Sequence, residues 1–201
     1  MNKDERCPWC GTDPIYVQYH DTVWGVPEFD DKKLFAKLIL DGAQAGLSWI
    51  TILKREQGYY RAFDGLDPEK MIYFSPARME KLLQDEGIIR NRLKIHSAIK
   101  NAHAWVEMQH SGLNFGQYLW SFVDGKPIQN QIKSMEELPA STPLAHTISK
   151  DLKRRGFNFV GPTIVYAFMQ AVGMVNDHLV HCHRYEPINE LGKRILMNNK
   201  R

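Results

Sequence analysis

Long apolar runs are missing from this chain. No stretch approaches the roughly 20 apolar residues that a membrane helix needs, so a membrane-spanning protein is not expected. No apolar segment follows the polar start Met1 to Arg6, and a secretory leader is not expected either. Cysteine is scarce: three in 201 residues, an odd number. That argues against a disulfide framework and leaves metal binding, redox chemistry or packing for the thiols. Charge of one sign is not in excess by much. The 26 basic and 23 acidic side chains leave +3, which permits a polyanionic partner without requiring one. Internal repeats and low-complexity tracts are absent, and so is the sustained alternation that marks a half-buried strand. What is left is a cytoplasmic globular protein with 43 % apolar residues, enough for a core. At about 150 residues per domain the length calls for one domain.

Helical signals dominate. Asp30 or Asp31 caps a helix from Lys32 to about Ala45, with Leu34, Phe35, Leu38 and Ile39 on one face. Ser48 caps the next, expected from Trp49 to about Phe63. Asp67-Pro68-Glu69 and Ser75-Pro76 read as helix starts, since Pro is favoured at the first helical position. Ile95, Ile99, Ala102 and Val106 mark a long amphipathic helix, and Phe115 to Val123 a shorter one. Asp124 to Pro143, with Gly125 and three prolines, reads as loop. Helices resume at Leu144 to Arg155 and Pro162 to Val172. The expected fold class is all-α, a compact multi-helix domain over residues 1–185, followed by a polar tail, 186–201, that frays.

Metal-ligating residues sit at both ends. Cys7, Cys10 and His20 lie early; His178, His181, Cys182 and His183 fall within six positions near the end. His178 and Cys182 are four apart, so on a helix they share one face and grip one ion. Two N-terminal ligands would complete a tetrahedral site of the kind Zn2+ favours, clipping the chain ends together. Surface histidines and buried thiols are the competing reading. Cys7-Pro8-Trp9-Cys10 also has redox spacing, but neither the strand before it nor the βαβ context is visible.

Trp9, Tyr16, Tyr19, Trp24 and Trp49 crowd the first quarter of the chain. Flat side chains with a polar edge suit a planar heterocycle; core packing is the alternative. Asp41 lies on the apolar face of its helix, where a carboxylate is expensive unless paired. It could cap the turn at Gly42, pair with a lysine, or face an aromatic pocket and select a base with an exocyclic amine. Further on, Ile148 to Arg155 is a basic amphipathic helix carrying Lys153 and Arg154. Gly156-Phe157-Asn158-Phe159-Val160-Gly161 follows, and Pro162 opens another helix. The free N–H groups of that second helix, beside positive charge, suit a phosphate; a solvated αα-hairpin is the alternative.

Several strings, in order, carry a resemblance from about Arg6 to Tyr185. They are Asp13-Pro14-Ile15-Tyr16, Tyr19-His20-Asp21, Trp24-Gly25-Val26-Pro27, Gln44-Ala45-Gly46-Leu47-Ser48-Trp49-Ile50, Gly87-Ile88-Ile89-Arg90, Leu119-Trp120-Ser121-Phe122-Val123, the Arg155 to Gly161 run and Val175-Asn176-Asp177-His178. The chain resembles the type I, constitutive 3-methyladenine DNA glycosylases of the helix-hairpin-helix superfamily. The resemblance implies hydrolytic excision of 3-methyladenine from double-stranded alkylated DNA, with the free base as product. It implies one structural Zn2+ on Cys7, His20, His178 and Cys182, leaving Cys10, His181 and His183 as non-ligands. It assigns base stacking to Trp49 and a place in the base pocket to Tyr16 and Tyr19. Gly46 and Leu47 match the turn whose leucine wedges into the duplex. A monomer suits an enzyme that scans a duplex.

Two departures stand out. The pocket acid of the best-known members is glutamate, and Asp41 stands at that position, shorter by about 1.5 Å. In superfamily members that also cleave the strand, a lysine follows the hairpin; here Thr163 stands there, so no Schiff-base nucleophile and no lyase activity are expected. The superfamily's catalytic aspartate has no secure match, although Asp177 is nearby. No general base for water is identified. Two other readings stay open at this stage: a broader alkyl-base glycosylase, and a non-catalytic, zinc-stabilised helical DNA-binding module.

Overall fold

The computed structural model describes residues 5–198. Eleven α-helices and a two-stranded parallel ladder are found among them. The central helix is α2, Asp31–Gln44, whose Leu34, Phe35, Leu38, Ile39 and Leu40 are all buried. At about 1.5–3 kcal/mol per large apolar side chain buried, this one helix anchors much of the core. It packs against α3 (Trp49–Leu53), α7 (Arg92–His110), α8 (Phe115–Ser121) and α10 (Pro162–Ala171).

The two candidate caps divide their work. Asp30 caps α2 by accepting from the Lys33 N–H at 2.9 Å. Asp31 accepts instead from Gln109, Asn114 and the N–H groups of Phe115 and Gly116, pinning α2 to α7 and to the start of α8. Four donors on one carboxylate make this a tertiary lock rather than a local cap.

The helix expected from Trp49 to Phe63 is broken. It forms α3 and α4 (Glu56–Ala62), because Arg55 leaves helical geometry at φ −107°, ψ 0°. The bend lets α4 lie against Gly87: a Cβ at Gly58 would come within 2.0 Å of the Gly87 carbonyl oxygen. That close approach is a tertiary demand that overrides local helix preference. Within the expected loop, Ile128–Gln129 (β1) pairs in parallel with Val175–Asn176 (β2). The bounds expected for the helices found as α2, α8, α9 (Pro143–Arg154) and α10 fall within two residues of those observed, whereas α1, Pro14–Thr22, is a helix that the spacing does not mark.

α9 and α10 make the expected hairpin. Gly156 follows the last turn of α9 at φ +94°, a conformation that costs other residues about 1–2 kcal/mol. Asn101 of α7 clamps the crest, its carbonyl accepting from the Asn158 N–H and its amide donating to the Asn158 carbonyl. Phe159 is held at φ +53° beside this clamp. The segment expected to be a fraying tail carries helix α11, Tyr185–Asn198. Its Ile188 is buried, and Asn176 donates to the Tyr185 carbonyl, so an apolar contact and a buried hydrogen bond seat the helix on the body. The last three tail positions, 199–201, lie outside the described residues. No helix among the described residues is long and apolar enough to cross a membrane.

Candidate functional site

Cys7, His20, His178 and Cys182 converge. Their ligand atoms all lie within 4.8 Å of one another, and all four residues are buried. Cys7 Sγ is 3.7 Å from His178 Nδ1; Cys182 Sγ is 3.6 Å from that nitrogen and 3.5 Å from His20 Nε2. A tetrahedral ion with bonds of about 2.0–2.3 Å spaces its ligands about 3.3–3.8 Å apart, so the residues fit such an ion. The outer contacts aim the rings. His20 Nδ1 meets Asp21 at 2.7 Å, and His178 Nε2 meets the Trp24 carbonyl at 3.2 Å, leaving the opposite nitrogens to face the sulfurs. Backbone N–H groups of Leu179 and Arg184 donate to the sulfurs of Cys7 and Cys182. Cys10 stays outside: its thiol donates to the Cys7 carbonyl. His181 and His183 face Glu5 and Asp21.

Contrary to the helical spacing expected of them, His178 and Cys182 do not lie on a helix. They sit in a turn between β2 and α11, closed by the Cys182 N–H donating to the Leu179 carbonyl. The turn brings the two ligands together as a helical spacing of four would have done.

The aromatic residues of the first quarter pack directly on this cluster. Helix α1, Pro14–Thr22, is started by Asp13, which accepts from the Ile15 N–H. It presents Tyr16, Tyr19 and His20 at helical spacing, so one face serves pocket and cluster together. The Trp9 ring centroid is 5.2 Å from Tyr16, 4.9 Å from Trp24 and 5.3 Å from His20; Tyr19 is 5.3 Å from Trp49. These rings line a cavity of about 270 Å³, with Lys37, Asp41, Gln44 and Gln170 as its polar members. The cavity brings together all four predicted pocket residues: Tyr16, Tyr19, Asp41 and Trp49.

Asp41 is buried and ion-paired with Lys37, one turn earlier on α2. Of the alternatives open for this carboxylate, the lysine pair is therefore present. Burial pushes the Asp41 carboxyl up, against the Lys37 charge that holds it down. Burial likewise pulls Lys37 down, opposed by Asp41. The Lys37 ammonium also lies 4.0 Å from the centroid of the Trp49 ring, a cation–π contact. Two buried polar atoms at this cavity have no partner among the described residues: Asp41 Oδ2 and Trp49 Nε1. Unpaired buried groups cost about 1–3 kcal/mol each, and a ligand supplying a donor and an acceptor would recover that. Burial raises Tyr16 and Tyr19, with the Asp41 charge adding to the shift at Tyr19, so both phenols stay protonated at neutral pH.

Lys37 is the pocket residue that sequence reasoning did not single out. The signal was there, in a lysine four residues before an apolar-face aspartate. Gln170 had no such signal, since its place depends on how α10 packs.

The DNA-facing candidates lie apart from these buried groups. Gly46, at φ +77°, and Leu47, 38 % exposed, form the turn after α2. Lys94 holds that turn, donating to the Ala43 and Ala45 carbonyls at 2.7 Å each. Lys153, Arg154 and Thr163 are exposed on the hairpin, though Arg154 is ion-paired with Asp151. Gly161 has an ordinary φ of −61°, and a Cβ there would meet nothing within 4 Å.

Asp177 is buried and accepts from Asn130, Tyr166 and Gln170. A carboxylate so surrounded is a structural tie. Asp177→Asn, which turns an amide N–H2 either toward the Asn130 donor or toward the Tyr166 and Gln170 donors, is expected to cost about 1–3 kcal/mol, or several degrees in thermal denaturation. Full stability with lost activity would instead mark a catalytic acid.

The family model described as methyladenine glycosylase matches residues 9–185. The DNA-3-methyladenine glycosylase 1 of Escherichia coli strain K12 is 50 % identical over 181 residues, 90 % of this chain and 97 % of that protein. A crystal structure of a 3-methyladenine DNA glycosylase I superimposes with a TM-score of 0.87 at 49 % identity, covering 89 % of this chain and 98 % of the other. A structure of the 3-methyladenine DNA glycosylase I from Staphylococcus aureus, described as showing the basis of 3-methyladenine recognition, gives 0.85 at 36 % identity, covering 88 % and 94 %.

Proposed function

The chain belongs to the methyladenine glycosylase family, and from that premise we propose that it opens base-excision repair by hydrolysing the N-glycosidic bond of 3-methyladenine in double-stranded alkylated DNA. The observation that carries this is the cavity itself, an aromatic-walled space with one buried carboxylate and an unpartnered acceptor, Asp41 Oδ2. Methylation at N3 gives the nucleotide a positive charge and makes the base a good leaving group. The enzyme's task is then to extract that base, hold it and exclude adenine. Trp49 stacks on the cationic ring. Asp41 accepts from the exocyclic amine and favours the charged form. Tyr16 and Tyr19 close the pocket, and water attacks the sugar through an oxocarbenium-like transition state. Without a lysine at Thr163, the reaction stops at hydrolysis.

One Zn2+ on Cys7, His20, His178 and Cys182 is the structural metal of this reading. It supplies no chemistry to the reaction; it ties the N-terminal segment and α1 to the turn before α11. Residues 1–185 form the glycosylase unit, which acts as a monomer.

DNA is held by its backbone. The open space at Gly161 leaves room for a phosphate at the start of α10, beside Lys153 and Arg154, with Gly156 and Thr163 framing the hairpin. The Gly46-Leu47 turn faces the duplex, and Leu47 fills the gap left by the extracted nucleotide. Affinity for duplex DNA should therefore fall with salt, at a slope near −0.9 per phosphate contact. Leu47→Ala should impair excision more than binding to undamaged duplex. Salt-independent binding, or equal losses in both assays, would contradict this placement.

The defining experiment is to incubate the protein with methylated duplex DNA and identify the released bases by chromatography. Release of 3-methyladenine, with turnover and an uncut strand, is the expected result. Equal release of 7-methylguanine would point to a broader enzyme, and no release to a binding module.

A further inference from the structure

Lys37 belongs to two cavities. It lines the aromatic pocket with Asp41 and Trp49, and it lines a second space of about 270 Å³ with Glu56, Tyr60 and Val172. Ala171 is the other residue common to both, so the two cavities share a wall. A carboxylate stands in each. Asp41 holds the ammonium directly. Glu56, half-buried, accepts no hydrogen bond among the described residues, and its charge acts on Lys37 across the shared wall. The lysine stem is flexible, with four rotatable carbons between backbone and charge.

The ammonium rests on the groups that the proposed function assigns to the damaged base. It pairs with Asp41 and lies over the Trp49 face. That indole face is where the proposed function stacks the base ring. Both cannot hold that seat together, because the ammonium, 4.0 Å from the Trp49 ring centroid, already stands where a stacked ring would lie.

We propose that Lys37 is an internal competitor for the base seat: a base that enters must displace its ammonium from Asp41 and Trp49 toward Glu56. This rests on the glycosylase reading and deepens it. The cost of displacement is the same for every base, so Lys37 leaves the ratio of affinities unchanged. It sets a threshold instead. Apparent affinity is the intrinsic affinity reduced by the fraction of molecules whose seat is open. A base whose intrinsic affinity exceeds that cost clears the threshold, and one that binds more weakly does not.

Titration calorimetry with free 3-methyladenine and with adenine at pH 7 tests this. Lys37→Met, apolar and of similar length, is expected to bind both bases about ten-fold more tightly, the equivalent of ~1.4 kcal/mol. Lys37→Gln, which keeps an N–H for Asp41 without the charge, should move the same way and covers the case in which Lys37→Met does not fold. Glu56→Gln removes the second seat and should weaken binding severalfold in the parent chain, but have no effect when combined with Lys37→Met or Lys37→Gln. Weakened or unchanged binding in the folded Lys37 variants would overturn the proposal, leaving the lysine as a support for Asp41. So would a Glu56 effect of equal size with and without Lys37. If neither the parent chain nor any folded variant binds 3-methyladenine, the glycosylase reading fails first and the competitor role with it.

Discussion

Cys182→Ala should purify without zinc and melt about 10 °C or more below the parent chain. Loss of a structural metal is among the few single changes that exceed about 4–5 kcal/mol. In a domain of this size each kcal/mol shifts the midpoint by about 2–4 °C. The four candidate ligand residues are buried, so in Cys182→Ala an emptied cluster leaves one thiol and two imidazoles with nothing to share. Of the two sulfurs, Cys182 is the one whose ionised form is favoured, by its hydrogen bond with Cys7 and then those with His178 and His20. Elemental analysis of the parent chain should give about one zinc per molecule. Cys10→Ser should retain it, since that thiol points to a backbone carbonyl. Metal loss should also loosen the pocket, because His20 and the pocket's Tyr16 and Tyr19 ride on the same helix. Free-base binding should therefore weaken in the Cys182 variant. A metal-free parent chain, never exposed to chelator, would rule out the zinc assignment.

Asp41→Asn should weaken binding of free 3-methyladenine by about ten-fold to a hundred-fold. The change removes one charge-assisted hydrogen bond, of the order of 1.5–3 kcal/mol, and offers the base a group that is partly a donor. Lys37 loses its partner while its side chain is only 14 % exposed. Removing one half of a buried pair costs about 3–5 kcal/mol, so Asp41→Asn should also melt lower. Combining it with Lys37→Met should recover most of that stability without recovering affinity. Asp41→Glu should keep binding, provided the pocket admits the longer side chain. Calorimetry and thermal melts separate the two effects. Parent-like affinity in a folded Asp41→Asn protein would make this carboxylate a partner of Lys37 and nothing more.

Much of the fold was legible because its determinants are local. The Asp30 cap, the apolar stripe of α2 and the glycine that ends α9 act within a few residues of chain, and each was found where the pattern put it. The pocket's aromatic members were legible for a different reason, their crowding into one quarter of the sequence. The break between α3 and α4 was not, because it answers to Gly87, 29 positions beyond Gly58. Helix α11 was missed for a similar reason. Its polar composition looked like a tail, and only docking Ile188 on the body gives the helix an apolar contact. Spacing and residue type were enough for the all-α class, the hairpin, the donor types for a metal and a carboxylate on an apolar face. Packing alone set that His178 and Cys182 meet in a turn, that Asp31 locks α8, and that Lys37 lies over Trp49 between two carboxylates. Caps and periodicity are short-range interactions, repeated along the chain and readable from spacing. A contact such as Cys7 with His178 spans 171 positions, and its geometry exists only once the helices between them have packed.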